Sequence, residues 1–310
     1  MRQTVVEQRG FLLFRMFLST IKLVHSRGGR HMLVEFLNDY YQANLKSIHD
    51  VAGNQHLIGY SKVFKSPLFV KIFKERDMFY AEQHVNQVYY PEIYLDSVIF
   101  ENRYVVTLKD REMKDISAQK LGRKRVYAFG RLLGDFHQKL TGKVTVHQSD
   151  KRLSEQIQYQ VAQLQDTKYQ MLVNDVHQTL GIDFEQADME YAQLPKVVLH
   201  GDFSIRNIMH YKGRDILIDF ERSHIGTPYQ DFIKFFYNEV KEPALRNSFL
   251  QGYETMHPFE IPSKKVQRCL LFLCALDICE YNVTHPERKY GKMPNEMLVT
   301  IKADDAVLAL

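Results

Sequence analysis

Three oxygen-bearing side chains fall within one short stretch, KVVLHGDFSIRNIMHYKGRDILIDFERSHIGTPYQDF, residues 196 to 232. Asp202, Asn207 and Asp219 each stand at or just beyond the end of a short apolar run that predicts a strand. Magnesium prefers oxygen ligands and usually shares them with substrate phosphates. An unliganded carboxylate can orient a hydroxyl and accept its proton. The pattern therefore predicts phosphoryl transfer, with Asp202 as the base and with Asn207 and Asp219 as metal ligands.

The spacing of these residues also resembles a known family. The pattern H-x-D-x-x-x-x-N from residue 200, followed by IDF at 218 to 220, resembles the catalytic and metal-binding loops of the aminoglycoside phosphotransferase and choline kinase superfamily. GTPYQDF (226 to 232) is similar to the family's Gly-x-Pro-x-x-Asp-Leu run, and FGRLLGDFHQKL (129 to 140) to its Leu-x-x-x-His helix. The resemblance covers about residues 56 to 240 and implies a phosphotransferase that uses ATP and magnesium.

Three polar residues near the motif receive a structural role from the resemblance. His137 and His200 are expected to be buried hydrogen-bonding residues that shape the catalytic loop, although a histidine can also titrate near neutral pH. Asp231 is expected to accept hydrogen bonds from the backbone of that loop. Arg206 either reaches a phosphoryl group or an anionic acceptor, or is an ordinary surface arginine.

A lysine upstream of the motif suits the binding of nucleotide phosphates. Lys71 lies in the strand-like run LFVKIF, and the resemblance places it where the family pairs a strand lysine with the phosphates. A fixed carboxylate is needed to keep such an ammonium group oriented. Glu82, in the following helix, is the predicted partner, with Glu75 and Glu101 as alternatives.

The rest of the nucleotide site is predicted from two further segments. The turn that covers the phosphates is expected in HLIGYSKVF, with Gly59 and Ser61 at its tip, where protein kinases carry three glycines and this chain has one. The adenine is expected against the backbone near Thr107 and Lys109, because the strand RYVVTL leads directly into the helical part of the chain.

The elements that must position these residues predict an α+β protein. A hairpin over 56 to 73, a helix over 75 to 88 and two more strands up to residue 108 form a small antiparallel lobe. Helices dominate afterwards, apart from the short strands of the catalytic segment. The expected architecture is the bilobal protein-kinase-like fold, with an N-terminal helical extension (1–55), an N-lobe (56–108) and a helical C-lobe (109–310).

Composition and charge limit the class of protein. With 45% apolar and 25% charged residues the chain is globular, and its net charge of +4 is too small to require a nucleic acid as partner. Six of the basic residues lie in residues 1–30, where apolar spacing predicts an amphipathic helix over 5 to 25. Packing on the protein itself is the preferred role of that helix, and contact with an anionic membrane is the alternative.

Cysteine usage and hydropathy predict the cellular location of the protein. The three cysteines, Cys269, Cys274 and Cys279, lie in one apolar run whose spacing fits no zinc site, so reduced, buried thiols in a cytoplasmic protein are expected. This run is bracketed by charges and is too short to span a membrane. Neither a signal peptide nor a transmembrane segment is predicted.

The acceptor molecule stays open at this point. The leading hypothesis is transfer of the γ-phosphoryl group of ATP to a hydroxyl of a small polar molecule such as an aminoglycoside, choline or a sugar. A kinase of a membrane-linked saccharide and a pseudokinase-like nucleotide-binding module are the alternatives. Residues 183 to 190 (DFEQADME) carry four carboxylates, which suits a polycationic aminoglycoside but equally an ordinary solvated helix face.

Overall fold

The computed structural model describes residues 29–51, 54–117, 120–286 and 291–303 and divides them into two lobes. A small lobe is built on one five-stranded sheet, and a large lobe is mainly helical. The predicted α+β, bilobal class is confirmed. The amphipathic helix predicted over 5 to 25 lies outside the described residues.

The sheet of the small lobe is antiparallel throughout, with the strand order β1-β2-β3-β5-β4. Its elements, with the two helices that accompany it, are α1 (Gly29–Tyr41), β1 (Lys46–Val51), β2 (Asn54–Ser61), β3 (Ser66–Phe73), α2 (Arg76–Tyr89), β4 (Tyr94–Phe100) and β5 (Arg103–Lys109). The three central strands carry alternating apolar residues on a face that helix α1 covers.

Helix α1 belongs to the small lobe and is not a separate extension. Leu33, Leu37 and Tyr41 of α1 are buried against Leu57 and Val70 of the sheet. The predicted helical extension of residues 1–55 also contains a strand, because residues 46 to 51 form β1 at the edge of the sheet. A six-residue polar strand has no apolar alternation of its own, and only its pairing with β2 defines it.

The large lobe contains the catalytic segment within a helical body. Its elements are β6 (Lys114–Asp115), α3 (Arg123–Leu140), α4 (Leu153–Gln163), α5 (Gln170–Gly181), α6 (Phe184–Gln193), β7 (Val197–Leu199), a 3-10 turn (Ile205–Asn207), β8 (Ile208–Tyr211), β9 (Arg214–Leu217), β10 (His224–Gly226), α7 (Tyr229–Asn238), α8 (Pro243–Glu254), α9 (Lys264–Thr284) and α10 (Met293–Lys302). Helices α4 and α5 are separated by a break, where the backbone at Asp166 turns into the left-handed region (φ 61°).

One continuous apolar core joins the helices of the large lobe to helix α2 and the sheet of the small lobe. Phe79 and Val85 of α2 share this core with Phe136 of α3 and with Phe220, which follows strand β9. Phe136 and Phe220 stack with ring centroids 5.6 Å apart. Helix α2 therefore reaches from the small lobe to the catalytic segment, and it can position a side chain between the two.

Candidate active site

Lys71 is buried at the centre of a group of carboxylates. It lies on β3 with its side chain only 5% exposed, and its Nζ is 2.5 Å from Asp219 Oδ1 and 3.1 Å from Glu82 Oε1. The structure thus brings together the lysine and the glutamate that the sequence paired, and it adds the predicted metal ligand to the same cluster. These neighbouring negative charges outweigh burial and raise the pKa of Lys71 above its ordinary value.

Glu82 is fixed from both sides. Its Oε2 accepts a hydrogen bond of 2.7 Å from the backbone N–H of Phe220, and its Oε1 accepts one of 3.2 Å from Asn86 of the same helix. The carboxylate therefore ties helix α2 to the loop that carries Asp219. Glu82 is thus the partner of Lys71, and neither of the two alternatives, Glu75 or Glu101, makes this contact.

Asp219 adopts a backbone conformation that is unusual for a residue other than glycine. Its φ is +69°, in the left-handed region, which costs an aspartate free energy unless its surroundings fix it. Burial alone would raise the pKa of this carboxyl, but the ammonium of Lys71 outweighs burial and holds the pKa below its ordinary value. Asp219 is therefore an anion whose direction is set by the loop.

A further carboxylate, Glu221, completes the cluster and was not predicted. Its Oε2 lies 3.6 Å from Lys71 Nζ, and both its oxygens accept from Asn54 Nδ2 at 3.3 Å. Burial, helped by the neighbouring Asp219 and Glu82, raises the pKa of Glu221 to about 7. The sequence feature that could have identified Glu221 is its position two residues after Asp219, in IDFE, because alternate side chains of an extended segment can face the same site.

The donor set of this cluster fits a divalent cation that also binds phosphate. Asp219, Glu221 and Glu82 place three carboxylates around a single lysine, so the site has an excess of negative charge. Among the described residues, no three His, Cys, Asp or Glu side chains form a ready-made metal cage. Magnesium typically takes one or two carboxylates and completes its shell with water and phosphate oxygens, which is what Asp219, Glu221 and the amide oxygen of Asn207 can provide.

Three side chains fix the carboxylate of Asp202, those of Asn207, Arg206 and Lys234. Asn207 Nδ2 donates to the backbone oxygen of Asp202 at 2.8 Å and is 3.3 Å from its Oδ2. Arg206 Nη2 lies 2.8 Å from the same Oδ2, and Lys234 Nζ lies 3.4 Å from Oδ1. Burial would raise the pKa of Asp202, but the charges of Lys234, Arg206 and Arg222 lower it overall. The carboxylate is therefore ionised at neutral pH, and these contacts fix its direction.

The catalytic loop is anchored by one buried aspartate. Asp231 accepts hydrogen bonds from the backbone N–H groups of His200 at 2.7 Å and Gly201 at 2.9 Å, and His137 Nε2 lies 3.0 Å from it. Gly201 has a φ of +78°, and a Cβ there would meet the carbonyl oxygen of Arg222 at 2.0 Å. The contacts of these residues shape the loop, as the family resemblance implied.

Gly59 and Ser61 do not lie at the tip of a phosphate-covering turn. Gly59 is inside strand β2, where a Cβ would be 2.8 Å from the carbonyl oxygen of Asn44. Ser61 is fully buried and donates to the carbonyl oxygen of Tyr41 at 2.7 Å. Because His56 is the residue of β2 that pairs with Lys71, Gly59 lies about 10 Å further along the strand. The opposite end of β2, at Asn54, is the end that contacts the carboxylate cluster, through Glu221.

Thr107 and Lys109 are already engaged within the small lobe. The Thr107 hydroxyl donates to the Tyr41 hydroxyl at 3.0 Å, and the Lys109 N–H donates to the Ile93 carbonyl at 2.8 Å. The predicted position of the adenine at these two residues is therefore not supported by their contacts. The sequence placed the end of the sheet too early, because β5 continues to Lys109.

A cavity of about 350 Å³ opens beside the catalytic loop. Gly201 and Lys234 line it on the side of Asp202, and helix α9 contributes Asp277 and Cys274. Tyr159 and Tyr191 add aromatic surface. The cavity has the size and the mixed lining of a site for a small polar ligand.

Comparison with known proteins places this geometry in a family. Residues 73–262 match the model of the phosphotransferase enzyme family. The chain belongs to this family and is a phosphotransferase with a kinase-like fold. No curated protein matches the chain by sequence.

Solved structures share the fold at low sequence identity. The amicoumacin kinase hAmiN, solved in complex with AMP-PNP, Ca²⁺ and Ami, is 14% identical with a TM-score of 0.61 over 90% of this chain and 95% of its own. The choline kinase LicA from Streptococcus pneumoniae is 12% identical with a TM-score of 0.61, covering 90% and 99%. The aminoglycoside phosphotransferase APH(4)-Ia is 13% identical with a TM-score of 0.58, covering 88% and 97%.

Proposed function

We propose that the protein transfers the γ-phosphoryl group of ATP to a hydroxyl of a small polar molecule, with magnesium as the metal. The observation that carries the proposal is the position of Asp202. Its carboxylate accepts a hydrogen bond from the proposed metal ligand Asn207, and it also contacts Lys234, which lines the cavity. An acceptor hydroxyl in the cavity would then meet the base on the side opposite the nucleotide.

Each residue of the site has a defined part in this proposal. Lys71, fixed by Glu82, binds the nucleotide phosphates, and Asp219 and Asn207, with Glu221, are the metal ligands. A bound magnesium ion supplies neutralisation of phosphate charge. Asp202 orients the acceptor hydroxyl and accepts its proton, so most of the rate comes from positioning and electrostatics. The AMP-PNP and Ca²⁺ in the hAmiN structure support nucleotide and divalent metal use in this fold.

We further propose that the adenine contacts residues 110–113, which follow β5 without regular structure. Phe69 pairs with Leu108 just before this segment, and Met209 pairs with Asp115 just after it. Phe69, Met209 and Ile218 are partly buried apolar side chains next to the core. They give the segment apolar surroundings suited to a flat purine ring.

A cytoplasmic location is proposed from the state of the cysteines. Cys269, Cys274 and Cys279 are all free, and burial raises the pKa of each thiol to about 12, which disfavours the reactive thiolate. Within the described residues, no helix combines the length and apolar character needed to cross a bilayer. Membrane contact through residues 1–30 involves a segment that is almost wholly outside the described residues.

A panel of hydroxyl-bearing compounds, scored by ADP release, tests the proposed activity. We expect at least one member to raise ADP release above the rate with ATP and magnesium alone, and mass spectrometry to show one added phosphoryl group on that compound. Omission of magnesium should remove the increase. Binding of ATP with no acceptor-dependent ADP release across aminoglycosides, choline, sugars and hydroxy acids would favour the nucleotide-binding module instead.

A further inference from the structure

The cavity beside the catalytic loop has an unusual charge for a family that includes kinases of cationic compounds. Four basic side chains line it, Lys151, Lys196, Arg222 and Lys234, against two carboxylates, Asp231 and Asp277. Asp231 is committed to the backbone of the catalytic loop and to His137. The lining is therefore positive.

Three of these cations form no close ion pair with any described residue, although Arg222 acts at longer range on Asp202 and Asp277, and Lys151 on Glu155. Within the described ranges, no carboxylate lies within 4.0 Å of Lys151, Lys196 or Arg222. Lys234, by contrast, is 3.4 Å from Asp202 and so belongs to the catalytic machinery. Cationic groups that line a cavity without carboxylate partners favour an anionic ligand.

Lys196 is the most constrained of these cations. Its ammonium donates to the carbonyl oxygens of Tyr191 and Leu194 at the end of helix α6 and lies 3.9 Å from the centroid of the Tyr191 ring. Three donors are available on an ammonium group, and these two carbonyls leave one for a ligand. Burial without a carboxylate partner lowers the pKa of Lys196 to about 8, as expected of a partly desolvated cation.

The acidic segment 183 to 190 does not supply a pocket for a polycation. Asp183 lies 3.1 Å from Lys265, Asp188 accepts from the hydroxyl of Ser154 at 2.5 Å, and Glu190 accepts from the backbone N–H of Ser263 at 2.8 Å. These carboxylates join helices to one another, and none of them lines the cavity. The carboxylates that suggested an aminoglycoside therefore hold helices together and do not form a ligand site.

We propose that the acceptor carries an anionic group, a carboxylate or a phosphate ester, and that Lys196 binds this group. The inference rests on the proposed function, because it takes the cavity as the acceptor site. Strand β7 runs from Lys196 to the catalytic loop, so the anionic group and the reacting hydroxyl lie at separate places along the cavity wall. Tyr159 and Tyr191 contribute flat aromatic faces between polar groups, which suits a polyhydroxylated ring.

Four sugars with the same ring and different charge test the inference on the full chain. Calorimetry measures the binding of glucose, glucosamine, glucuronate and glucose 6-phosphate, with and without ATP and magnesium. We expect each anionic sugar to bind at least about tenfold more tightly than glucose, and glucosamine to bind most weakly. Tighter binding of glucuronate identifies a carboxylate as the preferred group, and tighter binding of glucose 6-phosphate identifies a phosphate ester.

Variants of Lys196 separate anion binding from its contacts with helix α6. Lys196→Gln removes the charge and should reduce the affinity for the anionic sugars to the level of glucose, whereas Lys196→Arg should keep most of it. Lys168→Gln is the matched control, because Lys168 also lies over a tyrosine ring, 4.9 Å from the Tyr169 centroid, and does not line the cavity. Thermal unfolding checks that each variant is folded.

Three results would overturn the inference: glucosamine binding as tightly as the anionic sugars, an anionic preference that survives in Lys196→Gln, or dissociation constants above about 10 mM for both anionic sugars. The proposed activity is judged separately by ADP release. Anionic preference without acceptor-dependent ADP release in any panel would reject the activity and keep the anion site. ADP release with neutral or cationic acceptors alone would keep the activity and reject the anion site.

Discussion

Replacing Asp202 with asparagine is expected to lower acceptor-dependent turnover by about 10²- to 10⁴-fold while the protein stays folded. Asparagine has nearly the shape of aspartate and keeps an oxygen that can accept from Asn207 Nδ2, now 3.3 Å from the carboxylate. It cannot accept the proton of the acceptor hydroxyl. ADP release and phosphorylated product measure the loss. ATP binding should change little, because among the described residues Asp202 makes no ion pair or hydrogen bond with Lys71, Asp219 or Glu221.

Asp135 of helix α3 provides a matched control. Its side chain is 25% exposed, pairs with Lys139 and accepts a hydrogen bond of 3.3 Å from the Tyr89 hydroxyl. Asparagine keeps an accepting oxygen for Tyr89, so Asp135→Asn should leave turnover unchanged. Asp202→Asn with full turnover of an identified acceptor would remove the base assignment. The pH profile adds a check: because the nearby cations hold the pKa of Asp202 below its ordinary value despite burial, the carboxylate stays ionised at neutral pH and is protonated only at an acidity beyond that of an ordinary aspartate.

Replacing Lys71 with methionine is expected to have the second large effect, on both nucleotide use and stability. In the described part of the chain, the ammonium is the only cation within ion-pair distance of Glu82, Asp219 and Glu221. Without it, the three carboxylates, of which Glu82 is buried, repel one another, and the free energy of unfolding should fall by about 3 kcal/mol. Loss of a phosphate-binding donor should lower turnover by about 10²- to 10³-fold.

Urea unfolding and ADP release measure these two effects on the same preparations. Lys139→Met is the control, since Lys139 is exposed and contacts Asp135 of helix α3 and the Tyr89 ring of α2, away from the carboxylate cluster. A Lys71→Met protein with unchanged stability and unchanged turnover at saturating ATP would show that the carboxylate cluster neither depends on the lysine nor serves the nucleotide.

The sequence predicted those parts of the site whose residues are close in the chain. Asp202 follows strand β7, Asn207 ends the 3-10 turn before β8, and Asp219 follows β9, so all three lie in one short segment of the chain. Lys71 and Glu82 are separated by one turn between a strand and a helix, and family order was enough to pair them. The structure adds the contacts that fix them, such as the bond from the Phe220 N–H to Glu82.

The errors concern residues whose position depends on strand register and long-range packing. Gly59 looks like a turn residue in isolation, but its lack of a side chain permits the close approach of Asn44 within a continuous strand. Glu221 joins the site only through Lys71 and Asn54, which are far away in the sequence. The acidic segment 183 to 190 suggested a cationic ligand because its partners on other helices were not visible in its own composition.

The central claim is that Lys71, Asp219 and their neighbours form a metal-dependent nucleotide site, and calorimetry of ATP binding tests it most directly. The wild-type protein and Asp219→Asn are titrated with ATP in the presence and absence of magnesium. We expect magnesium to strengthen ATP binding to the wild type by about tenfold or more and to have little effect on Asp219→Asn, which lacks the carboxylate charge. Equal ATP affinity with and without magnesium in the wild type, or an undiminished magnesium effect in Asp219→Asn, would contradict the claim.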